Sequence, residues 1–187
     1  MEYAIPLFFV LTGGPGGGKT SLIEELKSQG YPCVEESGRQ VIKDQLHREG
    51  HALPWKDKVA FRDLMISRDK KQYIEALRKK GPVFFDRAVP DSIGYSQLEG
   101  LPLPETLYEI LRSEFRYQRL VFITPPWKEI YMNDSERKQN FDEAVRTYHT
   151  VAEAYRGLDY ELVELPKGTV QERVLFLLNK VKEVTGG

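Results

Sequence analysis

Eight residues constrain this chain more than any others: Gly13-Gly14-Pro15-Gly16-Gly17-Gly18-Lys19-Thr20. They fit G-x-x-x-x-G-K-[ST] at each fixed position. The preceding run, Leu7-Phe8-Phe9-Val10-Leu11-Thr12, is apolar almost throughout, as a strand buried on both faces requires. Thr20 to Gln29 follows with Leu22, Ile23 and Leu26 spaced for one helical face, and Gly30 stands where a helix C′ glycine is expected. A strand, a glycine-rich loop and a helix in that order form a cradle for an anion. Glycines let several backbone N–H groups converge, and the helix N-terminus adds partial positive charge. In such a loop Lys19 reaches the β- and γ-phosphates of a nucleoside triphosphate, the Thr20 hydroxyl is a Mg²⁺ ligand, and Ser21 hydrogen-bonds a phosphate oxygen. Gly13, Gly14, Pro15, Gly16, Gly17, Gly18, Lys19, Thr20 and Ser21 are therefore the expected nucleotide-binding residues. A merely flexible glycine-rich turn would not explain the strand and helix on either side.

The rest of the chain alternates in the same manner. Tyr31 to Glu36 contains a second short strand. Ser37-Gly38-Arg39-Gln40 has the Ser-x-x-Gln form of a capping box opening a helix to about His47. Asp57 to Lys80 reads as a long charged helix ended by Gly81, and Pro82 to Asp86 as a third strand. Leu98 to Glu105 is a Gly/Pro-marked loop, Thr106 to Tyr117 is helical, and Arg119 to Thr124 is a fourth strand stopped by Pro125-Pro126. Phe141, Val145, Tyr148, Val151, Ala152 and Tyr155 form a helical apolar stripe, read as core. Tyr160 to Leu165 is a fifth strand, and Thr169-Val170-Gln171-Glu172 is a capping box opening a last helix. The order β-α-β-α-α-β-α-β-α-β-α predicts a three-layer α/β/α fold around a five-stranded parallel sheet. With no repeat or linker in 187 residues, residues 1–187 read as a single domain.

Composition narrows the partners. Lys and Arg total 27 against 28 for Asp and Glu, a formal net charge of -1, so no global field favours nucleic acid or an anionic membrane. The apolar run from Leu7 to Leu11 is far too short to span a bilayer. One cysteine, Cys33, fits a reducing compartment, and the start of the sequence lacks the pattern of a signal peptide. A cytoplasmic location is the expectation. Oligomeric state is not encoded in any of these features.

The third strand ends on a carboxylate, Asp86, followed directly by Arg87. Ligands of parallel α/β sheets bind at the C-terminal ends of the strands. There an aspartate can hold Mg²⁺ or polarise an attacking oxygen. Glu36, after the second strand, can accept a proton from an acceptor hydroxyl or simply sit at a helix N-terminus. Arg39 can bind an acceptor phosphate or pair with Glu36. Arg137 can steady charge on a transferring phosphoryl group or stand as a solvated helix-start charge.

These motifs together resemble the NadR-like AAA-domain P-loop ATPases, relatives of the nucleoside and nucleotide kinases. Four segments carry the resemblance across almost the whole chain: the Gly13–Thr20 loop; Glu36-Ser37-Gly38-Arg39; Phe85-Asp86-Arg87-Ala88-Val89-Pro90-Asp91-Ser92; and Asn133-Asp134-Ser135-Glu136-Arg137-Lys138. The resemblance implies a kinase-like strand order 2-3-1-4-5. It places Glu36, Arg39 and Asp91 at the acceptor side of a cleft, with Asp86 and Arg87 serving base, metal and acceptor contacts. A lid-like segment near 127–141 would carry Glu136-Arg137-Lys138 over the phosphates. The catalytic set is then Lys19, Asp86, Arg87 and Arg137, the metal set Thr20 and Asp86, and the cofactors ATP and Mg²⁺.

Two functions fit. One is a phosphotransferase moving the ATP γ-phosphate to a small nucleoside- or nucleotide-like acceptor. The other is a nucleotide-gated regulatory module acting on a protein partner. The guanine-reading Asn-Lys-x-Asp motif is absent; Asn179-Lys180-Val181-Lys182 comes closest and ends in Lys. ATP is therefore favoured over GTP. The acceptor itself is not legible, because its pocket is built from loops.

Overall fold

The computed structural model describes residues 5–131 and 140–186. Five strands, β1 (Phe8–Gly13), β2 (Cys33–Val34), β3 (Val83–Asp86), β4 (Leu120–Thr124) and β5 (Glu161–Glu164), form one sheet in the order β2-β3-β1-β4-β5. All four pairings are parallel. This is the expected kinase-like order, with β1 central and the chain turning outward on both sides of it. The register sets Asp86 beside Leu11 and Thr124 beside Gly13. The carboxylate on β3 and the end of β4 thus flank the loop that leaves β1.

Helices α1 (Lys19–Ser28) and α8 (Val170–Thr185) cover one face. On the other lie α3 (Lys58–Ala76), α4 (Val89–Leu98), α5 (Glu105–Ser113) and α7 (Phe141–Arg156), with α2 (Ser37–His47) packed on α3. A single turn, α6 (Lys128–Tyr131), follows β4. The pleat divides the apolar run of β1 between the two cores. Phe8 and Val10 join Phe85, Val121, Ile93 and Tyr155 on one side. Phe9 and Leu11 join Phe84, Phe122, Leu22 and Leu177 on the other. Each fully buried residue of this kind contributes about 1.5–3 kcal/mol, so β1 anchors the loop that follows it. Among the described residues no helix is long and apolar enough to cross a membrane.

Three details differ from the sequence expectation. Helix α4 stands between β3 and the Gly/Pro-marked loop, where none was read. It is buried along Val89, Pro90, Asp91, Ser92, Ile93, Gly94 and Ser96, wedged between α3 and α7, so it has no polar face to create a helical period. The capping box at Ser37 does not form. Glu36 is the N-cap without a side-chain bond, and Ser37 lies inside the helix. Its hydroxyl is engaged by Asp69 and Gln72, while Gln40 turns to Glu35. Helix α3 stops at Ala76, short of the expected Lys80. The capping box at Thr169 does form, with Thr169 Oγ1 accepting from Glu172 N at 3.2 Å.

Candidate active site

The loop after β1 is shaped by close approach rather than by flexibility. Gly13 has φ 132°, and a Cβ there would overlap the side chain and carbonyl of Thr124 on the neighbouring strand. A Cβ on Gly14 would strike the carbonyl of Ala144 in α7. Gly18, the N-cap of α1, has φ 78°, a left-handed conformation that glycine adopts without cost. Lys19 is then the first residue of α1, and its ammonium bends back to accepting carbonyls, Gly14 at 2.8 Å and Gly13 at 3.4 Å. Burial, then the nearby Arg87 guanidinium, lowers its pKa to about 7 despite Asp86, Glu36 and Asp91 close by. A buried cation held only by carbonyls is poised to gain from an arriving phosphate. Thr20 and Ser21 are exposed at the start of the same helix.

Arg173, from α8, closes the far side of this loop. It is 2% exposed, donates from Nη2 to the Gly17 carbonyl at 2.9 Å, and lies over the Trp127 ring at 5.6 Å. This bond ties the Gly17 carbonyl of the loop to α8. Sequence reading missed Arg173. The available signal was a cation on the apolar stripe that continues with Leu177 and Val181.

Opposite the loop, the strand-end residues form a coupled charge cluster. Arg87 has φ 66°, a strained conformation for a side-chain-bearing residue that costs about 1–3 kcal/mol. Its backbone N–H donates to Leu11 O at 2.9 Å. Its guanidinium bridges Asp91 Oδ1 at 3.0 Å and Glu36 Oε1 at 3.4 Å. Glu36 also pairs with Arg39 at 3.1 Å. Burial pushes the Glu36 carboxyl up, but Arg87, Lys19 and Arg39 together hold it below the usual range. Arg87 is raised: the pull of Glu36, Asp91 and Asp86 outweighs the cost of burial. Burial and then Glu36 raise Asp86.

The expected residues separate into distinct environments. Glu36, Arg39, Arg87 and Asp91 line one cavity with Pro15 of the nucleotide loop. Asp91 is surrounded by internal donors: Thr12 Oγ1 at 2.5 Å and Arg87 on Oδ1, Ala88 N at 2.9 Å and Tyr155 Oη at 2.6 Å on Oδ2. Those bonds fill its acceptor capacity. Arg137 and most of the lid-like segment lie outside the described residues.

Asp86 is 8% exposed, and its Oδ1 has no hydrogen-bond partner among the described residues. A buried, unmatched carboxylate oxygen and the Thr20 hydroxyl are hard oxygen donors of the kind Mg²⁺ selects, with its remaining positions filled by water and phosphate. The residues present fit that ion.

The cavity beside the loop has a volume of about 360 Å³. Its floor is the charge cluster. Its outer walls are apolar: Ile42 from α2, Phe61 and Met65 from α3, Tyr95 and Leu98 from α4. Phe61 and Tyr95 meet edge to face at 5.7 Å. Tyr95 and Leu98 escaped the sequence reading because α4 was not recognised, and Ile42, Phe61, Met65 and Asp69 because their meeting depends on how α2, α3 and α4 pack.

A family profile described as an AAA domain matches residues 8–173. The chain belongs to that family. Its fold is the kinase-like P-loop fold. Solved structures agree in fold. The NadR protein in complex with NR matches with a TM-score of 0.65 and 21% identity, over 96% of this chain and 52% of that one. Deoxyadenosine kinase from M. mycoides with dCMP and dCDP bound matches at 0.58 and 14%, over 95% and 99%. Shikimate kinase from Acinetobacter baumannii in complex with shikimate matches at 0.57 and 14%, over 96% and 94%. Comparison with curated protein sequences finds no match.

Proposed function

We propose that residues 1–187 act as one unit, an ATP·Mg²⁺-dependent phosphotransferase with a small nucleoside- or nucleotide-like acceptor. The observation that carries this reading is the shared cleft: Pro15 of the phosphate loop lines the same cavity as Glu36, Arg39 and Arg87. A regulatory NTPase has no need of an apolar-walled cavity opening beside its γ-phosphate site. The neighbours named for NR, deoxyadenosine and shikimate are small-molecule binders with the same fold.

In this reading the loop from Gly13 to Ser21 holds the triphosphate, and Lys19 leaves its carbonyl partners for the β- and γ-phosphates. Thr20 and Asp86 hold Mg²⁺, which supplies charge neutralisation when bound. Glu36 faces the acceptor hydroxyl and accepts its proton as the acceptor oxygen bonds to the γ-phosphorus and the bond to the β,γ-bridging oxygen breaks, releasing ADP. Its low proton affinity keeps it ionised and ready. Arg87 fixes Glu36 and neutralises charge at the cleft floor. Asp91, its oxygens filled from within, holds Arg87 rather than the acceptor. Arg137 would act from the lid. Catalysis of this type rests on positioning and charge stabilisation. The lone Cys33 supports a reducing, cytoplasmic setting.

The test is ATP consumption with Mg²⁺, alone and against nucleosides, nucleotides and NR, with the product analysed for added phosphate. One acceptor raising turnover and gaining a phosphate supports the reading. Slow turnover with every acceptor, without phosphorylated product, rejects it in favour of the nucleotide-gated module.

A further inference from the structure

Three cations are deeply buried among the described residues, and they differ in what neutralises them. Lys19 is 7% exposed, Arg62 4% and Arg173 2%. Arg62 has a carboxylate, with Asp63 Oδ1 at 2.8 Å from Nη2. Lys19 and Arg173 form no ion pair among the described residues. Each hydrogen-bonds only to backbone carbonyls, and every one of those carbonyls belongs to the phosphate loop: Gly13 and Gly14 for Lys19, Gly17 for Arg173. The two buried cations without an ion pair are thus the two that hold this loop, one near its start and one near its end. For Lys19 the loop motif itself supplies the reason, a phosphate that arrives with the nucleotide. Arg173 belongs to no motif, yet it stands in the same condition.

The backbone around Arg173 makes that condition worse. Arg173 lies in the first turn of α8, behind the N-cap Thr169, and its guanidinium reaches Gly18, the N-cap of α1. Nη1 comes so close that a Cβ on Gly18 would stand 2.8 Å from it. Two helix N-termini therefore converge near one guanidinium, and each disfavours a cation. The acid in the first turn of α8, Glu172, is spent on the Thr169 cap. Arg173 Nε is buried with no hydrogen-bond partner among the described residues. The Trp127 ring at 5.6 Å offers the guanidinium its face, a weaker compensation than a carboxylate. Burial pulls the proton affinity of Arg173 down. A cation so placed is a net cost to the empty protein, and an anion bound on the loop removes that cost.

We propose that Arg173 is a second fixed cation of the nucleotide site, complementary to Lys19, and that its counter-charge is the phosphate chain of the bound nucleotide. The bond to Gly17 holds the guanidinium against the loop, and its field acts on the anion across the Gly17–Gly18 backbone. Lys19 serves the phosphates from α1, and Arg173 serves them from α8 without leaving its place. The charge is what matters for binding, more than the planar packing on Trp127. The inference rests on the nucleotide half of the reading above and deepens it, and it is independent of the acceptor and of phosphate transfer. It carries a consequence that a structural arginine would not: the residue costs stability when the loop is empty and repays it only when nucleotide is bound.

The test measures binding and stability rather than turnover. Calorimetry on the full chain gives the affinity for ATP with Mg²⁺, and thermal unfolding gives the Tm of the ligand-free protein. Arg173→Met is expected to weaken ATP binding about tenfold or more, while its ligand-free Tm stays at or above the parent's because an unneutralised buried charge is gone. Arg173→Lys keeps the charge and a donor for the Gly17 carbonyl but loses the planar stack. It is expected to bind ATP within about threefold of the parent. Arg173→Lys binding as weakly as Arg173→Met would assign the effect to planar packing and overturn the inference. An unchanged ATP affinity in Arg173→Met would overturn it too, as would a lowered ligand-free Tm in that variant, the mark of a structural arginine. ATP binding with the expected pattern but without phosphate transfer to any acceptor would leave the inference standing and reject only the kinase reading.

Discussion

Tyr155 of α7 donates its phenol proton to Asp91 Oδ2 of α4 at 2.6 Å, inside the seam where those two helices pack. The bond reaches the site indirectly. Asp91 holds Arg87, and Arg87 holds Glu36. Helix α7 thus sets the position of the charge cluster through Asp91.

Tyr155→Phe keeps the ring, which packs against Tyr160 at 5.6 Å, and removes only the hydroxyl. Asp91 loses one of its buried donors, at a cost of about 1–3 kcal/mol. That corresponds to a fall in Tm of roughly 2–4 °C for each kcal/mol in a chain of this size. Acceptor-dependent kcat is expected to fall while ATP affinity is retained. A variant with the parent's kcat and Tm would remove Tyr155 from this chain of contacts.

Asp86→Asn replaces a buried carboxylate, unmatched at Oδ1, by a neutral amide of the same shape. Folding should tolerate the change, because a desolvated charge beside Glu36 is removed. Turnover at saturating Mg²⁺ should fall by about a hundredfold or more, as for other groups that position charge in a transition state. Turnover within about twofold of the parent would reduce Asp86 to a structural role.

Arg173→Met keeps the length of the side chain and loses the bond to the Gly17 carbonyl and the stack on Trp127. The loop's N–H groups then lose one constraint on their direction. The KM for ATP is expected to rise about tenfold, with kcat nearly unchanged, because binding and transition state suffer alike. A fall in kcat at constant KM would contradict a role in presenting the loop.

The nucleotide half of the site was legible because its parts are consecutive. Gly13 to Ser21 lies between an apolar strand and a one-faced helix, and each residue type has its own local reason. The parallel sheet followed from alternation, and its strand order from the resemblance alone. The acceptor half was not legible because it is assembled from α2, α3 and α4. Helix α4, buried on nearly every side, presents no helical period. Asp69 and Arg173 leave the same trace in sequence: a charge on an otherwise apolar helical stripe, Phe61-Met65-Asp69 in one case and Arg173-Leu177-Val181 in the other. Ser37 misled in the opposite way. Its spacing from Gln40 has the form of a cap, but tertiary partners on α3 take its hydroxyl.

Lys19 and Asp69 place two buried groups with pKa values of about 7 in one site, and their effects on stability run in opposite directions with pH. For Lys19, burial lowers the folded value, so between about pH 7 and 10.5 the unfolded chain binds more protons and stability rises with pH. Lys19→Met removes that cost. Its gain in stability should be largest below about pH 7 and shrink toward pH 10, while ATP turnover is lost about a hundredfold or more. For Asp69, burial raises the folded value, so between about pH 4 and 7 the folded chain binds more protons and stability falls as pH rises. The groups acting on it are Ser37 and Arg68, which favour ionisation, and Asp91 and Glu36, which oppose it. Asp69→Asn should therefore gain on the parent progressively from about pH 4 to 7 and hold a constant advantage above that. Urea unfolding of the ligand-free protein at pH 5, 7 and 9 separates the two variants. An advantage for Asp69→Asn that stayed constant from pH 5 to 7 would mean that Asp69 is ionised across that range and its carboxyl is not raised by burial.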